Sequence, residues 1–380
     1  MPWQPRDLMD TKREFLELAL KAGANRRELC RRFGISPKTG YALLRRHASE
    51  GMGPACTSRS TKPLHSPFKT SLELEQQVIE LRQLYRWGAR KIAQRLIDLG
   101  ASHVPAPSTI TDILRRNGLI TEQASADAQH WQHFEHDLPN ALWQIDFKGA
   151  IGTPAGPCHP LTLLDDHSRF NLTIQACGKT DTASVQGHLH QVFERYGLPV
   201  RINADNGPPW GSPKAPDALS ALAIWLIRLG IRVSHSRPYH PQTNGKLERF
   251  HRSFEAEVIA QRSFSNLVQA QRAFTYWREV YNHERPHESL GMRTPATRYE
   301  ISARTMPAGL PSIEYGPDDQ VLIVGWDGRI DFKGRPLRVS NALHRLPIAM
   351  RPAPGADGCF DAYFCHHRLM RLDLRQPTTA

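Results

Sequence analysis

The sequence is short of cysteine, of long apolar runs and of acid, and each shortage closes off a class of protein. Its six cysteines (Cys30, Cys56, Cys158, Cys177, Cys359, Cys365) are spread over 380 residues. That suits reduced thiols in a cytoplasmic protein better than the disulfide framework of a small secreted domain. No uninterrupted apolar run reaches the roughly 18–20 residues that cross a bilayer, and the amino terminus lacks the apolar core of a signal peptide, so membrane-spanning and secreted readings fall away. There is no Gly-x-x-x-x-Gly-Lys-Ser/Thr phosphate loop. No paired Cys-x-x-Cys or matching His pair completes a tetrahedral zinc set, which sets aside the short-spaced His130, His133 and His136 and the group Cys359, Cys365, His366 and His367. Acid is outnumbered, 37 Asp and Glu against 49 Lys and Arg, for a net charge of +12 with 23% charged residues. A folded protein with excess cation has a polyanion as its natural partner. At roughly 150 residues per domain the chain holds two to three domains.

The excess is uneven. The first 130 residues carry 21 basic against 13 acidic side chains, the remainder 28 against 24. If the partner is nucleic acid, most phosphate neutralisation comes from the amino-terminal third. That third reads as helical. Apolar residues recur at helical spacing over Lys12–Leu20 and Arg26–Phe33; Gly34 then turns the chain, Ser36-Pro37 starts a third helix, and this runs to His47. Helix, short glycine turn, helix is the helix-turn-helix order, and Lys38, Thr39, Arg45 and Arg46 on the third helix are candidate DNA contacts. A plain bundle with solvated charges has the same pattern. Residues 51–70, rich in Gly, Pro, Ser and Thr, read as a linker. The grammar then repeats, with helices around Leu72–Leu81 and Ile92–Leu96 and one capped by Ser108-Thr109. Two basic bundles in series favour DNA over a merely structural role.

The middle of the chain reads as three strands (141–147, 161–165, 170–175), a helix from Asp181 to Tyr196, a strand 200–204, a helix near 216–229 and a strand 231–234. Local strand pairing followed by alternation with helices predicts a mixed sheet covered by helices. Three acids stand where such a sheet delivers functional groups: Asp146 on the first strand, Asp205 just after a later one, and Glu248 near a helix start. Clustered carboxylates repel one another, and divalent cations relieve that cost. Two such ions serve an in-line phosphoryl displacement. Lys246, Arg249 and Arg252 flank Glu248 and are candidate phosphate contacts. Asp165-Asp166-His167-Ser168-Arg169 reads as hairpin-turn chemistry close to the site.

Trp143-Gln144-Ile145-Asp146, Asp205-Asn206-Gly207 and His240-Pro241-Gln242-Thr243-Asn244-Gly245-Lys246-Leu247-Glu248-Arg249 resemble the three blocks of bacterial insertion-sequence transposases of the DDE type, in the retroviral integrase superfamily. Tyr281-Asn282, Arg285-Pro286-His287 and Thr294-Pro295 are similar to the segment that closes this core. The resemblance implies a ribonuclease-H-like α/β catalytic core in which Asp146, Asp205 and Glu248 are both the catalytic residues and the ligands of two Mg²⁺ ions, with Mn²⁺ able to stand in. Water would nick the element end and the freed 3′-hydroxyl would attack target DNA. The implied partners are double-stranded DNA, as terminal repeats and as target, and further copies of the chain on paired ends, in the bacterial nucleoid. Two features depart from the pattern. Forty-two residues separate Asp205 from Glu248, which predicts a longer surface loop. Glu255 stands seven residues after Glu248, where related enzymes often carry Lys or Arg, and puts that DNA contact in doubt. A His-His-Cys-Cys module like that of retroviral integrases is not evident.

Beyond a Pro- and Gly-rich stretch, short runs from Val321 to Leu374 predict a small β-barrel. The expected organisation is a helix-turn-helix domain (1–50), linker (51–70), second such domain (71–125), integrase-like core (130–300), linker (301–320) and β-rich domain (321–380). A DNA-binding regulator that keeps the fold without activity is the alternative, disfavoured by three intact carboxylates. A plain ribonuclease-H-like nuclease is disfavoured by the two amino-terminal modules.

Overall fold

The computed structural model describes residues 8–58, 70–120, 135–211, 219–235 and 245–376. The chain folds as two compact units, residues 1–69 and 70–380.

In the first unit, α1 (Leu8–Ala19), α2 (Arg26–Arg32), α3 (Pro37–Glu50) and α4 (Met52–Cys56) enclose Phe15, Leu16, Ala19, Cys30, Ala55 and Cys56. Ser36 caps α3 by accepting the Thr39 amide at 3.1 Å, with Pro37 at the first helical position, as the sequence predicts. Gly40 is what lets α3 approach its neighbours: a Cβ there would stand 2.5 Å from Cys30 Sγ and 3.0 Å from Phe15 Cζ. One expectation changes. The stretch read as linker opens with α4, because Ala55 and Cys56 complete the small core.

The second unit begins with α5 (Leu72–Tyr85), α6 (Ala89–Asp98) and α7 (Pro107–Arg116), packed around Val78, Trp87, Ile92, Leu96, Ile110 and Leu114. The expected Ser108-Thr109 cap is not used; Ala106 occupies the N-cap position without a side-chain bond, and Pro107 begins the helix. The central sheet holds β1 (Trp143–Phe147), β2 (Ile151–Thr153), β3 (Gly156–Asp165), β4 (Asn171–Cys177), β5 (Arg201–Ala204) and β6 (Arg232–His235). Its order is β2-β3-β1-β5-β6, with β4 also pairing β3. Pairings among β1 to β4 are antiparallel, while β5 is parallel to β1 and β6 to β5. This is the mixed sheet that the strand pattern predicts, with β2 in addition.

Helices α8 (Thr182–Tyr196) and α9 (Ala221–Arg228) cover one face, and α10 (Gly245–Glu257) and α11 (Leu267–His283) the other. Because side chains alternate along a strand, Trp143 and Ile145 of β1 enter the α8/α9 core, and Gln144 and Asp146 face the other way. Helix α9 is apolar all round and is buried on two sides: Leu222, Trp225 and Leu226 join the sheet core, while Ile224 and Ile227 join the carboxyl-terminal core. A helix apolar on every side needs such double cover. Helix α11 is likewise shared, since Val280 belongs to the α5–α7 core and Glu284 accepts from Tyr85 Oη at 3.0 Å and Arg95 Nη2 at 2.5 Å.

The carboxyl-terminal strands are β7 (Gln320–Ile323), β8 (Arg329–Phe332), β9 (Arg335–Arg338), β10 (Pro347–Pro352), β11 (Cys359–Phe364) and β12 (His367–Asp373). They form a four-stranded antiparallel sheet, β12-β11-β10-β7, and a separate β8-β9 hairpin. Among the described residues this is not a closed barrel, which corrects the sequence expectation. β10, starting at Pro347, was not legible as a strand. The stretch expected to be a linker from 301 starts as part of the core: Arg304 donates to the carbonyls of Pro199, Leu229 and Gly230 at 2.6, 3.2 and 2.9 Å.

Candidate active site

Asp146 is positioned by strand alternation, and Asp205 by register. Gln144 pairs with Asn203 in the parallel β1/β5 ladder, so the residues two positions on, Asp146, still paired with Thr162 of β3, and Asp205, just past β5, come side by side at the carboxyl end of β5. Glu248 lies in the first turn of α10, whose Leu247, Phe250 and Phe254 pack into the core on Asp146's side of the sheet. Asp146 is half-buried, whereas Asp205 and Glu248 are exposed.

Each aspartate takes a backbone amide. Asp146 Oδ1 accepts from Phe147 N at 2.8 Å and Asp205 Oδ1 from Asn206 N at 2.7 Å. The Asp146 carboxyl is pushed up to about 6 by burial first, then by the charges of Asp205 and Glu248, against the Phe147 hydrogen bond that lowers it. Asp205 and Glu248 are therefore both near enough for their charges to act on Asp146. Among the described residues no trio of His, Cys, Asp or Glu is gathered tightly enough to form a ready-made metal site. The donor set still fits hard divalent cations: three carboxylates, two of them open to solvent, raise one another's energy in a way that oxygen-seeking cations relieve.

The cations beside Glu248 divide. Arg249 and Arg252 are exposed on α10. Lys246, expected to face phosphate, is instead held by Asp166, whose carboxylate and carbonyl accept from Nζ at 2.5 and 3.1 Å. Its side chain is 13% exposed. Glu255, the departure from the family pattern, pairs with Lys148 at 3.1 Å. In the first unit Lys38, Thr39 and Arg45 are exposed, although the Thr39 hydroxyl sits 2.8 Å from Ser36 Oγ. Arg46 is committed to its own module, bonding Glu50 at 3.0 Å and the Thr57 carbonyl at 2.9 Å. Lys246 and Arg46 thus both have partners within the protein.

The Asp165–Arg169 segment does form a turn, but a buried and heavily bonded one. Asp165 accepts from Asn140 N, Ser168 N and Ser168 Oγ at 2.8, 2.8 and 2.6 Å. Asp166 accepts from Gln144 Nε2 and His136 N, both at 2.9 Å. Arg169 stands in the left-handed region at φ 63° and bonds Glu135 at 2.9 Å. The closing segment grips the same side of the core. Asn282 both accepts from and donates to the backbone of Asn171 at 2.8 and 2.9 Å, and Arg285 reaches Glu257 and Ser253 of α10 at 3.0 and 2.9 Å. Sequence reasoning missed His251, Thr162 and Lys148. No local pattern marks them, because each becomes informative only once α10 lies across β1. His240 to Asn244 lie outside the described residues.

Residues 136–241 and 229–295 each match the integrase core domain family, residues 39–114 a homeodomain-like domain, and residues 319–380 the carboxyl-terminal domain of IS481 family transposases. Among curated proteins the chain is 30% identical over 171 residues to an uncharacterized 39.2 kDa protein of insertion element IS476 from Xanthomonas euvesicatoria, covering 45% of this chain and 47% of that one. It is 26% identical over 158 residues to a 31.7 kDa protein of insertion element IS407 from Burkholderia multivorans, covering 42% and 54%. The chain thus spans about half the length of the curated relatives it matches. Among solved structures, the HTLV-2 integrase catalytic core domain in complex with magnesium is similar over 43% of this chain and 99% of that one, at 16% identity and a TM-score of 0.32.

Proposed function

We propose that the chain is a bacterial insertion-element transposase with an integrase core domain, one that binds the ends of such an element and carries out Mg²⁺-dependent 3′-end cleavage and strand transfer into target DNA. The observation that carries this reading is the gathering of Asp146 on β1, Asp205 just after β5 and Glu248 on α10, the last two near enough for their charges to act on the Asp146 carboxyl. Those three residues would hold the divalent ions, which when bound supply charge neutralisation at the phosphodiester and activation of the attacking oxygen.

The chain's own part is placement. Asp146 is fixed on β1, Asp205 directly follows β5, and Glu248 is on a helix clamped from both ends by Lys246–Asp166 and Arg285–Glu257. Preorganised donors of this kind lower the barrier without reorganising during reaction. Exposed Arg249 and Arg252 are suited to steer phosphates toward the acids. Lys38, Thr39 and Arg45 would contact element ends, the helical modules at 1–50 and 71–125 acting as recognition domains and the β-rich region from 321 as an accessory domain. Further copies of the chain would assemble on paired ends. No helix among the described residues is long and apolar enough to cross a membrane, and DNA is the polyanion that the charge calls for.

The test is Asp146→Asn, Asp205→Asn and Glu248→Gln, assayed for Mg²⁺-dependent cleavage and strand transfer on DNA from the element's flanks. Each variant is expected to lose strand transfer by at least a hundredfold while keeping specific DNA binding. Strand transfer retained in the purified triple variant would sink the assignment.

A further inference from the structure

We propose that a polar seam registers α10 on β1, and that its central rung, His251–Thr162, positions Glu248 relative to Asp146; this deepens the transferase reading and rests on it. Three rungs cross the seam. In the first, Lys246 Nζ donates to Asp166, and Asp166 Oδ1 accepts from Gln144 Nε2 at 2.9 Å. In the second, Thr162 Oγ1 donates to the backbone carbonyl of Asp146 at 3.0 Å and lies 2.7 Å from His251 Nε2. In the third, Lys148 Nζ meets Glu255 at 3.1 Å.

The rungs meet β1 at the Gln144 side chain and the Asp146 carbonyl and reach Lys148 just past the end of the strand; on α10 they flank the apolar stripe of Leu247, Phe250 and Phe254, with Lys246 on one border and His251 and Glu255 on the other. They bracket both carboxylates, two residues either side of Asp146 and from two before to seven after Glu248. The apolar contacts of Leu247, Phe250 and Phe254 hold the helix to the sheet, but they are non-directional and tolerate sliding. A directional bond to the carbonyl of the residue that bears the Asp146 carboxylate does not.

The central rung is also better shielded than the third. Thr162 is fully buried, whereas the Lys148 and Glu255 side chains are 28% and 46% exposed, which makes that ion pair weak. With the single hydroxyl proton of Thr162 given to the Asp146 carbonyl, His251 must donate from Nε2. Burial holds the His251 ring down at about 4, so it is neutral throughout the neutral range, with its one proton on Nε2. Glu255 is thereby accounted for: where a basic residue would face DNA, this chain has a side chain turned back to the strand.

The experiment compares Thr162→Val, which keeps volume and loses the hydroxyl, with Thr162→Ser, which keeps it, and His251→Leu with His251→Gln. The readouts are Mn²⁺ affinity by electron paramagnetic resonance, and strand transfer at saturating DNA against half-saturating DNA concentration. T162V and H251L are expected to weaken Mn²⁺ binding about tenfold and to slow strand transfer ten- to a hundredfold, with half-saturation unchanged. T162S and H251Q should stay within about threefold of wild type. Wild-type Mn²⁺ affinity in T162V or H251L, or equal losses in the valine and serine variants, would overturn the seam. If T162V does not fold, the His251 pair alone decides. Mn²⁺ binding that Asp146→Asn leaves untouched would instead overturn the transferase reading, and the seam's role with it.

Discussion

Asp146 makes cation binding pH-dependent in a range where an ordinary aspartate would not. Its carboxyl, pushed up to about 6 by burial and by the neighbouring charges, is half protonated at pH 6, and a cation must displace that proton. The apparent affinity then falls by a factor of one plus ten to the power of the pKa minus the pH, roughly elevenfold at pH 5 but only about 10% at pH 7. An aspartate near its usual value of about 4 would lose only about a tenth at pH 5. Calorimetric titration with Mn²⁺ at pH 5, 6 and 7, in two buffers of different ionisation enthalpy, reads both affinity and proton release, with about half a proton per site expected at pH 6. The same shift has a stability consequence. A folded-state value above the unfolded one means that the folded chain binds the extra proton, so the group's contribution is full below about pH 4 and is lost as pH rises through 6. Metal-free Asp146→Asn should therefore be more stable than wild type at pH 7, by up to about 3 kcal/mol, and should show no proton-linked affinity. Equal affinity at pH 5 and 7 in the wild type, or the same pH dependence in D146N, would refute the electrostatic account.

The cations of α10 can be separated by salt. Arg249→Gln and Arg252→Gln should each reduce the slope of log affinity for DNA against log salt by about 0.9, the signature of one lost phosphate contact. Lys246→Gln should leave the slope unchanged while slowing strand transfer, because its charge is spent on Asp166; a slope loss in K246Q equal to that of the arginine variants would return it to the DNA contacts. In the first unit, Gly40→Ala puts a methyl carbon against Cys30 Sγ and Phe15 Cζ, at a cost of about 1–3 kcal/mol. Amide exchange across α1–α3 in the full chain should rise accordingly, and unchanged protection would show that the crossing can relax.

Much of this fold was legible because its signals are local. The helices of both modules follow a 3.6-residue apolar rhythm, and the strand predicted over 200–204 is β5 (Arg201–Ala204). Asp146, Asp205 and Glu248 were legible because each sits in a block with its own spacing. The failures share one cause, which is that partners distant in sequence decide them. Ala55 and Cys56 look like linker until α1 lies over them. Lys246 reads as a phosphate contact until Asp166, eighty positions away, is brought to it. Arg46 differs, since Glu50 stands four residues on, the spacing at which helical ion pairs form; that pairing was open to inspection. Among the carboxyl-terminal strands, β10 begins with proline, and barrel closure depends on pairings that no strand's own residues encode.

The face of the sheet that carries the acids cannot be built like its opposite. On the α8/α9 side β1 offers Trp143 and Ile145, and apolar burial alone suffices. On the α10 side it must offer Asp146, so the neighbouring positions are polar as well, and each buried polar atom left without a partner costs about 1–3 kcal/mol. Gln144 and Thr162 are both buried; Gln144 is hydrogen-bonded to Asp166, which also holds Lys246 of α10, and Thr162 is bonded directly to His251 of α10. The site's need for a carboxylate thus forces a polar interface, and satisfying that interface fixes the helix in register. Truncating one rung leaves its partners unsatisfied and frees the helix together, so the losses are coupled. Double-variant cycles between Thr162→Val and Lys246→Met should be non-additive by more than about 0.5 kcal/mol, and additivity there would mean that each rung acts alone.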